Sequence, residues 1–291
     1  MKLGVVFPQT EIGSDPLVIK DYAQAAEELG YQHILAYDHV IGANPASRPN
    51  WRAPYSHLDM FHEPFVLFGY LAGVTRKIEF VTGIIILPQR QTVLVAKQAA
   101  ALDVLSRGRF RLGIGIGWNP VEYEALGENF TNRGKRCEEQ IEVMRRLWTQ
   151  ETVTFEGQWH KITDAGLNPL PVQRPIPIWF GATDDRALRR LAKYGDGWFP
   201  LMAADEKCQA AIDKVRAYAR EAGRDPASIG IEGRISIGSA SADSWIKEMH
   251  AWQKLGATHV SVNTMKAGLA TPTAHIEAMR KFQRATVGVS N

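Results

Sequence analysis

The segment at residues 78–118, IEFVTGIIILPQRQTVLVAKQAAALDVLSRGRFRLGIGIGW, carries the pattern that decides the fold. Residues 78–87 are a run rich in β-branched side chains, which predicts a buried strand. Residues 91–105 form an alanine-rich segment that predicts a helix, and residues 110–114 are a second short apolar run. This order predicts two parallel strands, because parallel strands need a long crossover connection that a helix supplies.

The same alternation runs along the whole chain and yields eight strands, each followed by a helix. The predicted strands are residues 3–7, 33–37, 78–87, 110–114, 178–180, 197–199, 229–237 and 259–262. The predicted helices are residues 16–29, 63–74, 91–105, 133–148, 184–194, 204–222, 242–255 and 272–284. Eight such units can close into a (β/α)8 barrel. A doubly wound open sheet is the alternative, and the barrel is preferred because no composition shift or linker divides the chain.

We therefore expect one α/β domain over residues 1–291, a TIM barrel with two insertions. One insertion is the long loop at residues 38–61, and the other contains a predicted hairpin with strands at 152–155 and 159–162. The apolar runs are almost continuous, as expected for strands that are covered on both faces.

Composition excludes several classes of protein. The 291 residues are 45% hydrophobic and 22% charged, with a net charge of +3 from 34 basic and 31 acidic residues. This slight excess lacks the basic stripe of a nucleic-acid-binding surface, and no apolar run approaches the ~20 residues of a membrane span. Cys137 and Cys208 lie in no motif, so we expect reduced thiols in a cytoplasmic protein.

In a barrel of this kind the active site lies where the strands end. Asp38 and His39 directly follow the second predicted strand. A histidine beside a carboxylate at such a place suits general acid or base catalysis near neutral pH. A turn-capping aspartate with a packed histidine is the structural alternative.

Two further turns combine small residues with predicted strand ends. The glycines of residues 113–117 are spaced G-x-G-x-G, which departs from the G-x-G-x-x-G of a dinucleotide-binding turn. We interpret them as a strand end kept small so that a flat ligand can approach the backbone. Gly181, Ala182 and Thr183 precede a predicted helix whose first N–H groups could bind an anion, and a plain capped turn is the alternative.

The loop at residues 38–61 carries two competing patterns. Its aromatic side chains Trp51, Tyr55 and Phe61 predict an ordered wall over a substrate pocket, and an oligomer contact is the alternative. At the end of this loop, a carboxylate and imidazole cluster offers a weaker possibility, a metal site for hydrolysis. The residues of this cluster are His57, Asp59, His62 and Glu63. We expect no metal, because no second set of ligands follows the other strands.

Several stretches together resemble one known family. They are LGVVFPQ (residues 3–9), the Asp-His-Val at residues 38–40, residues 82–127 and PIPIWFGATDDRALRRLAKYGDGWFP (residues 175–200). This pattern is similar to the bacterial-luciferase-like superfamily of flavin and deazaflavin oxidoreductases, in particular its deazaflavin group. The resemblance implies a (β/α)8 barrel and a non-proline cis peptide at Gly83–Ile84 behind the cofactor ring.

The same resemblance implies how the site is used. A flavin-type ring would pack against Gly83 and Ile84 and near Gly115 and Gly117, with the cofactor phosphate at residues 181–183. His39, oriented by Asp38, would exchange the proton that accompanies hydride transfer. The substrate would lie under the loop segment at residues 51–61, with Trp118 as a further substrate-binding residue. Some relatives that oxidise sugar phosphates have a glutamate at the position of Trp118, so that substrate class is not expected.

The resemblance leaves the reaction open between three possibilities. Coenzyme F420, a deazaflavin, is favoured and implies hydride transfer to or from a small organic substrate. FMN is the alternative and implies a monooxygenase, and a non-catalytic flavin-binding protein is the third possibility. The family also implies a homodimer formed through helices of the first half of the chain.

Overall fold

The computed structural model describes residues 1–238 and 240–288, and an alternation of strands and helices runs through them. The strands are β1 (Lys2–Val6), β2 (His33–Ala36), β3 (Glu79–Thr82), β4 (Ile85–Ile86), β5 (Phe110–Gly115), β6 (Val153–Glu156), β7 (Lys161–Ala165), β8 (Ile178–Gly181), β9 (Gly197–Phe199), β10 (Gly230–Ser236) and β11 (His259–Asn263). The helices are α1 (Pro16–Glu28), α2 (Pro64–Val74), α3 (Thr92–Ser106), α4 (Pro120–Ala125), α5 (Arg133–Thr149), α6 (Asp185–Tyr194), α7 (Glu206–Glu221), α8 (Ala242–Lys254) and α9 (Pro272–Thr286).

All strands except the β6–β7 hairpin form one parallel sheet, and this sheet closes on itself. The order around the ring is β3, β2, β1, β11, β10, β9, β8 and β5, and β5 returns to β3 through the pairs Phe80–Phe110 and Val81–Arg111. The expected TIM barrel is therefore confirmed, and the open doubly wound alternative is wrong.

The third barrel strand departs from its predicted form. Residues 78–87 were expected as one strand, but the strand divides into β3 and β4 around a cis peptide bond between Gly83 and Ile84. This is the bond that the family resemblance implied. A short 3-10 helix, Leu87–Gln89, then leads towards α3.

Two layers of side chains fill the inside of the barrel. An apolar cluster contains Val6, Leu35, Val81, Trp179, Phe199 and Met265. A polar layer is centred on Glu232, whose carboxylate contacts His33 Nε2 at 2.9 Å and accepts from Arg111 Nη1 at 3.0 Å and Ser261 Oγ at 2.6 Å. Burial alone would raise the pKa of Glu232, but His33 and Arg111 outweigh it and hold that pKa well below its usual range.

The helices cover the outside of the sheet, where most of the apolar core lies. Aspartate side chains cap two of them: Asp15 caps α1 by accepting from Leu17 N, and Asp205 caps α7 by accepting from Lys207 N and Cys208 N. The hairpin β6–β7 pairs antiparallel outside the barrel and contacts α5. Cys137 and Cys208 are both buried and both free. Within residues 1–238 and 240–288, the helices are too short or too polar to cross a bilayer.

Candidate active site

A cavity of about 540 Å³ opens at the ends of the barrel strands. Its walls come from the segments that follow β2, β3, β5, β8 and from β10. The structure brings most of the predicted site residues into this wall, namely Asp38, His39, Tyr55, Gly83, Ile84, Gly115, Gly117, Trp118, Gly181, Ala182 and Thr183. Trp51 and Phe61 are not part of this wall, but their rings pack against those of Trp118 and His39.

Ile84 lies at one wall of the cavity on a surface made by two glycines. A Cβ atom built on Gly115 would lie 2.5 Å from Ile84 Cδ1, and one built on Gly181 would lie 3.3 Å from Ile84 Cγ2. Any larger residue at position 115 would push the Ile84 side chain out of its place. The two glycines therefore accommodate the Ile84 side chain, which faces the cavity.

Packing constrains the glycines of residues 113–117, of which Gly115 and Gly117 also line the cavity. A Cβ on Gly113 would lie 1.8 Å from the carbonyl oxygen of Thr82, so Gly113 permits the close contact of β5 with β3. Gly117 has a φ of 65°, a left-handed conformation that favours glycine, and faces the Ile86 side chain. Glycine is therefore required at positions 113 and 117 by the neighbouring residues, independently of any ligand.

His39 is held by a carboxylate that the sequence did not indicate. Its Nδ1 lies 2.8 Å from Glu122 Oε1, and the other carboxylate oxygen accepts from Gln89 Nε2 at 3.1 Å. Glu122 lies on α4 and is fully buried. Because a carboxylate only accepts, Nδ1 carries the proton in this contact, and Nε2 is left for the cavity. We expected Asp38 to orient His39, and this expectation is wrong: the orienting group is Glu122.

Asp38 instead fastens the third barrel strand to the second. Its Oδ1 accepts from Arg90 Nη2 at 2.8 Å and its Oδ2 accepts from the Ile86 backbone N–H at 3.1 Å. Arg90 also contacts Glu63 at 2.8 Å. Burial raises the pKa of Asp38 above its ordinary value, and the charge of Arg90 opposes that rise. Asp38 thus holds β4 and the segment after it beside the cavity.

An aromatic cluster surrounds the His39 ring. The ring centroid of His39 lies 4.8 Å from Phe61, 5.0 Å from Tyr55 and 5.9 Å from Trp118. Trp51 packs on Trp118 at 6.0 Å. The four aromatic residues that we assigned to a substrate wall are therefore assembled around the candidate proton-transfer group, although three come from the 38–61 loop and one follows β5.

Three of the four side chains considered for a metal site have other contacts. Asp59 accepts from the backbone N–H of Ser56 at 2.7 Å, and Glu63 caps α2 by accepting from Val66 N at 2.9 Å. His57 Nδ1 lies 3.4 Å from the Ala43 carbonyl oxygen. Among residues 1–238 and 240–288, no group of three or more His, Cys, Asp or Glu side chains is arranged to hold a metal ion.

The turn after β8 supplies small residues and a helix N-terminus. Ala182 is buried, and its carbonyl oxygen accepts from Trp198 Nε1 at 2.9 Å, which fixes the turn. Asp184 caps α6 by accepting from Ala187 N at 3.1 Å. The capped-turn alternative therefore describes Asp184 correctly, and Gly181 and Thr183 still face the cavity.

Two arginines at the cavity were not found from the sequence. Arg133 begins α5 and stacks its guanidinium on the Phe130 ring at 3.7 Å. Arg234 lies on β10, and its guanidinium is 5.2 Å from the centre of the Tyr37 ring. The period-two pattern of β10 could have indicated Arg234, because it shares a face with Glu232 inside the barrel. Glu122 has no comparable signal, since its partner is 83 residues away.

The family model for luciferase-like monooxygenases matches residues 1–287 of the chain. The chain belongs to this luciferase-like family. Among its relatives, pyrimidine monooxygenase RutA of Allorhizobium ampelinum is 34% identical over 71% of this chain and 56% of its own length. The F420-dependent hydroxymycolic acid dehydrogenase of Mycobacterium tuberculosis is 30% identical over 84% of this chain and 66% of its own.

Solved structures share the luciferase-like barrel. An F420-dependent secondary alcohol dehydrogenase, solved with an F420–acetone adduct, has a TM-score of 0.81 at 19% identity and covers 100% of this chain and 99% of its own. At that identity the likeness shows the fold alone. The relatives include a monooxygenase and an F420-dependent dehydrogenase, so membership places this chain in a family of oxidoreductases without choosing its cofactor.

Proposed function

We propose that the protein is an oxidoreductase that uses coenzyme F420 for hydride transfer to or from a small organic substrate, with His39 as the proton-transfer group. One observation carries this proposal: His39, held by the buried Glu122, lines the same cavity as Gly83, Ile84, Gly115 and Gly181. When bound, the deazaflavin supplies the hydride chemistry, and the protein supplies orientation and electrostatics.

The residues present fit a flat tricyclic cofactor. The cavity is within the usual size of cofactor pockets, and four glycines are part of its lining: Gly83, Gly115, Gly117 and Gly181. Ile84 offers an apolar contact for a ring face. These groups would hold the cofactor ring.

A phosphate-bearing tail fits the side of the cavity between β5 and β8. The starts of α5 and α6 both reach the cavity there, since Arg133 of α5, and Asp184 and Ala187 at the start of α6, line it. Helix N-termini favour anions, and Arg133 adds a positive charge with a buried Nε that has no partner among the described residues. We assign Gly181, Ala182, Thr183 and Arg133 to the phosphate side.

His39 is suited to hold or release a proton at Nε2. The Glu122 carboxylate accepts from Nδ1 and fixes the orientation of the imidazole, as a buried carboxylate does beside a catalytic histidine. The surrounding rings of Phe61, Tyr55 and Trp118 limit the access of water to this atom. His39 is thus the proposed catalytic residue, and Glu122 positions it.

FMN with monooxygenase activity is the second candidate, and the likeness to RutA over 71% of the chain favours it. The likeness to the F420-dependent dehydrogenase extends over 84% of the chain, and this larger share is why we prefer F420. A deazaflavin does not activate oxygen, so the cofactor decides between the two reactions.

Equilibrium titration of the purified protein with F420 and with FMN tests the proposal. We expect F420 to bind at least tenfold more tightly than FMN. Tighter binding of FMN would favour the monooxygenase, and binding of neither below millimolar concentration would refute both. His39→Ala then separates an enzyme from a non-catalytic flavin-binding protein, because only an enzyme loses turnover while its cofactor affinity is retained.

We also propose a homodimer formed through α2 and α3. α2 is apolar along its whole length, and Val66 on its outer face is 72% exposed. Val93 and Leu94 at the start of α3 add to the exposed apolar surface, which is the kind of patch that protein interfaces cover. Val66→Asp should convert a dimer to a monomer in analytical ultracentrifugation, and a wild-type monomer would refute this assignment.

The two free buried cysteines support a reducing compartment, the cytoplasm.

A further inference from the structure

Arg234 lies inside the barrel on the strand opposite β3. It is on β10, which is four strands from β3 in either direction around the ring. Its neighbour on the same face, Glu232, belongs to the polar layer deeper in the barrel. Arg234 comes one side-chain layer nearer the strand ends and lines the cavity.

Arg234 differs in its pairing from two other arginines that face the barrel interior or the site, Arg111 and Arg90. Arg111 contacts both Glu79 and Glu232, and Arg90 contacts both Asp38 and Glu63. Over the part of the chain that the structure describes, the guanidinium of Arg234 has no hydrogen bond and no ion pair, and its one contact of note is the Tyr37 ring at 5.2 Å. Glu232, the nearest acidic group on its own strand, is already held by His33, Arg111 and Ser261.

Two phenol groups share this side of the cavity. Tyr37 and Tyr55 both line it, and neither hydroxyl has a hydrogen-bond partner within residues 1–238 and 240–288. Burial raises the pKa of both phenols, to about 12 for Tyr55, while the charge of Arg234 acts in the opposite direction. Both hydroxyls therefore stay protonated at neutral pH and are available as donors.

One guanidinium and two phenols make a set of donors without an acceptor. A guanidinium presents a rigid fork of N–H groups that matches the two oxygens of a carboxylate, and a carboxylate has further lone pairs for hydroxyl donors. The single positive charge balances one negative charge, whereas a phosphate dianion would need two. We propose that Arg234, with Tyr37 and Tyr55, binds the carboxylate of an organic acid substrate.

This assignment rests on the proposed function, in which the cavity holds both a cofactor and a substrate. It adds the chemical class of the substrate, an organic acid. The ring site is built from β3, β4, β5 and β8, and the proposed phosphate cation is Arg133. Arg234 is on β10, which is four strands from β3, three from β5 and two from β8, and Arg133 already supplies a charge for the phosphate. The charge of Arg234 therefore remains for the substrate. Arg234 is then a binding residue that decides specificity and leaves the chemistry to His39.

The test compares anionic probes with neutral ones of the same shape. Benzoate against benzamide, and hexanoate against hexanamide, are titrated by calorimetry into the protein with its cofactor bound. The variants are Arg234→Gln, Arg234→Lys, Tyr55→Phe and, as a matched control in the same cavity, Arg133→Gln. Cofactor dissociation constants are measured on each variant, and thermal unfolding checks that each variant is folded.

We expect at least one acid to bind the wild type at least tenfold more tightly than its amide. Arg234→Gln should weaken binding of that acid by ten- to hundredfold, about 1.4 to 2.8 kcal/mol, and leave the amide and the cofactor within twofold. Arg234→Lys and Tyr55→Phe should give smaller losses. Arg133→Gln should change cofactor affinity and spare the acid.

Three outcomes would overturn the proposal. They are equal affinity for both acids and their amides, loss of cofactor affinity in Arg234→Gln as large as the loss of acid affinity, and loss of acid affinity in Arg133→Gln alone. If neither cofactor binds the wild type, the proposed function fails. The acid titrations are then made on the protein alone and still decide the role of Arg234.

Discussion

The contact between His39 and Glu122 can be tested without any assay of activity. His39→Ala removes the partner of a fully buried carboxylate and leaves Glu122 with Gln89 alone. Breaking a buried pair usually costs 3–5 kcal/mol, and we expect about 2–4 kcal/mol here because the His39 side chain is 12% exposed and water can reach its place.

Glu122→Gln should cost less, about 1–3 kcal/mol. The buried Oε1 of Gln89 has no partner among the described residues, so its amide group can turn and accept from the new amide at position 122. In the double variant the carboxylate is absent, so the loss of the imidazole no longer leaves a buried charge without its partner. The two changes should therefore be coupled by about 1–2 kcal/mol.

Urea unfolding of the four proteins at pH 7.5, followed by tryptophan fluorescence, measures this coupling. A parallel cycle of His39→Ala with Asp38→Asn is the control, because Asp38 and His39 share no partner. Additivity within about 0.5 kcal/mol in the Glu122 cycle would show that the contact does not hold His39. A coupling of equal size in the Asp38 cycle would restore Asp38 as the orienting residue.

Three further predictions concern the cavity wall, the barrel interior and the thiols. Gly115→Ala should displace Ile84 into the cavity, weaken cofactor binding by tenfold or more and reduce stability by about 1–3 kcal/mol; unchanged affinity in the titration would contradict this. Burial would raise the pKa of Glu232, but its basic partners hold that pKa below its usual range, so its contribution to stability is present above about pH 4.3 and is lost as the pH falls towards the lowered pKa. Glu232→Gln should flatten this acid loss in unfolding curves between pH 5 and 2, and an equally steep loss would count against it. Burial raises the pKa of Cys137 to about 12 and that of Cys208 to about 11, so both thiols should react with a disulfide reagent at least a hundredfold more slowly in the native protein than in urea, and rapid native labelling would disprove their burial.

The sequence predicted the barrel because its decisive signals are local. The run at residues 197–199 and the helix start at Pro16 follow from nearby apolar residues, proline and caps, and the structure has both at those positions. The order of strands and helices then restricts the topology, since parallel strands require crossovers. Within the third barrel strand the same signals were insufficient, because the division at Gly83–Ile84 depends on a peptide geometry that side-chain periodicity does not report.

The site divides in the same way. The residues that follow each strand could be predicted to meet, because the carboxyl ends of parallel strands lie at one end of a barrel. Their partners could not: His39 pairs with Glu122 and its neighbour Asp38 with Arg90, although adjacency in sequence suggested otherwise. Whether Arg234 is neutralised also depends on which carboxylates the closed barrel brings near it. The sequence alone determined the fold and the place of the site, while tertiary packing decided which charges are paired and which remain for a ligand, because pairing depends on distances between residues far apart in the chain.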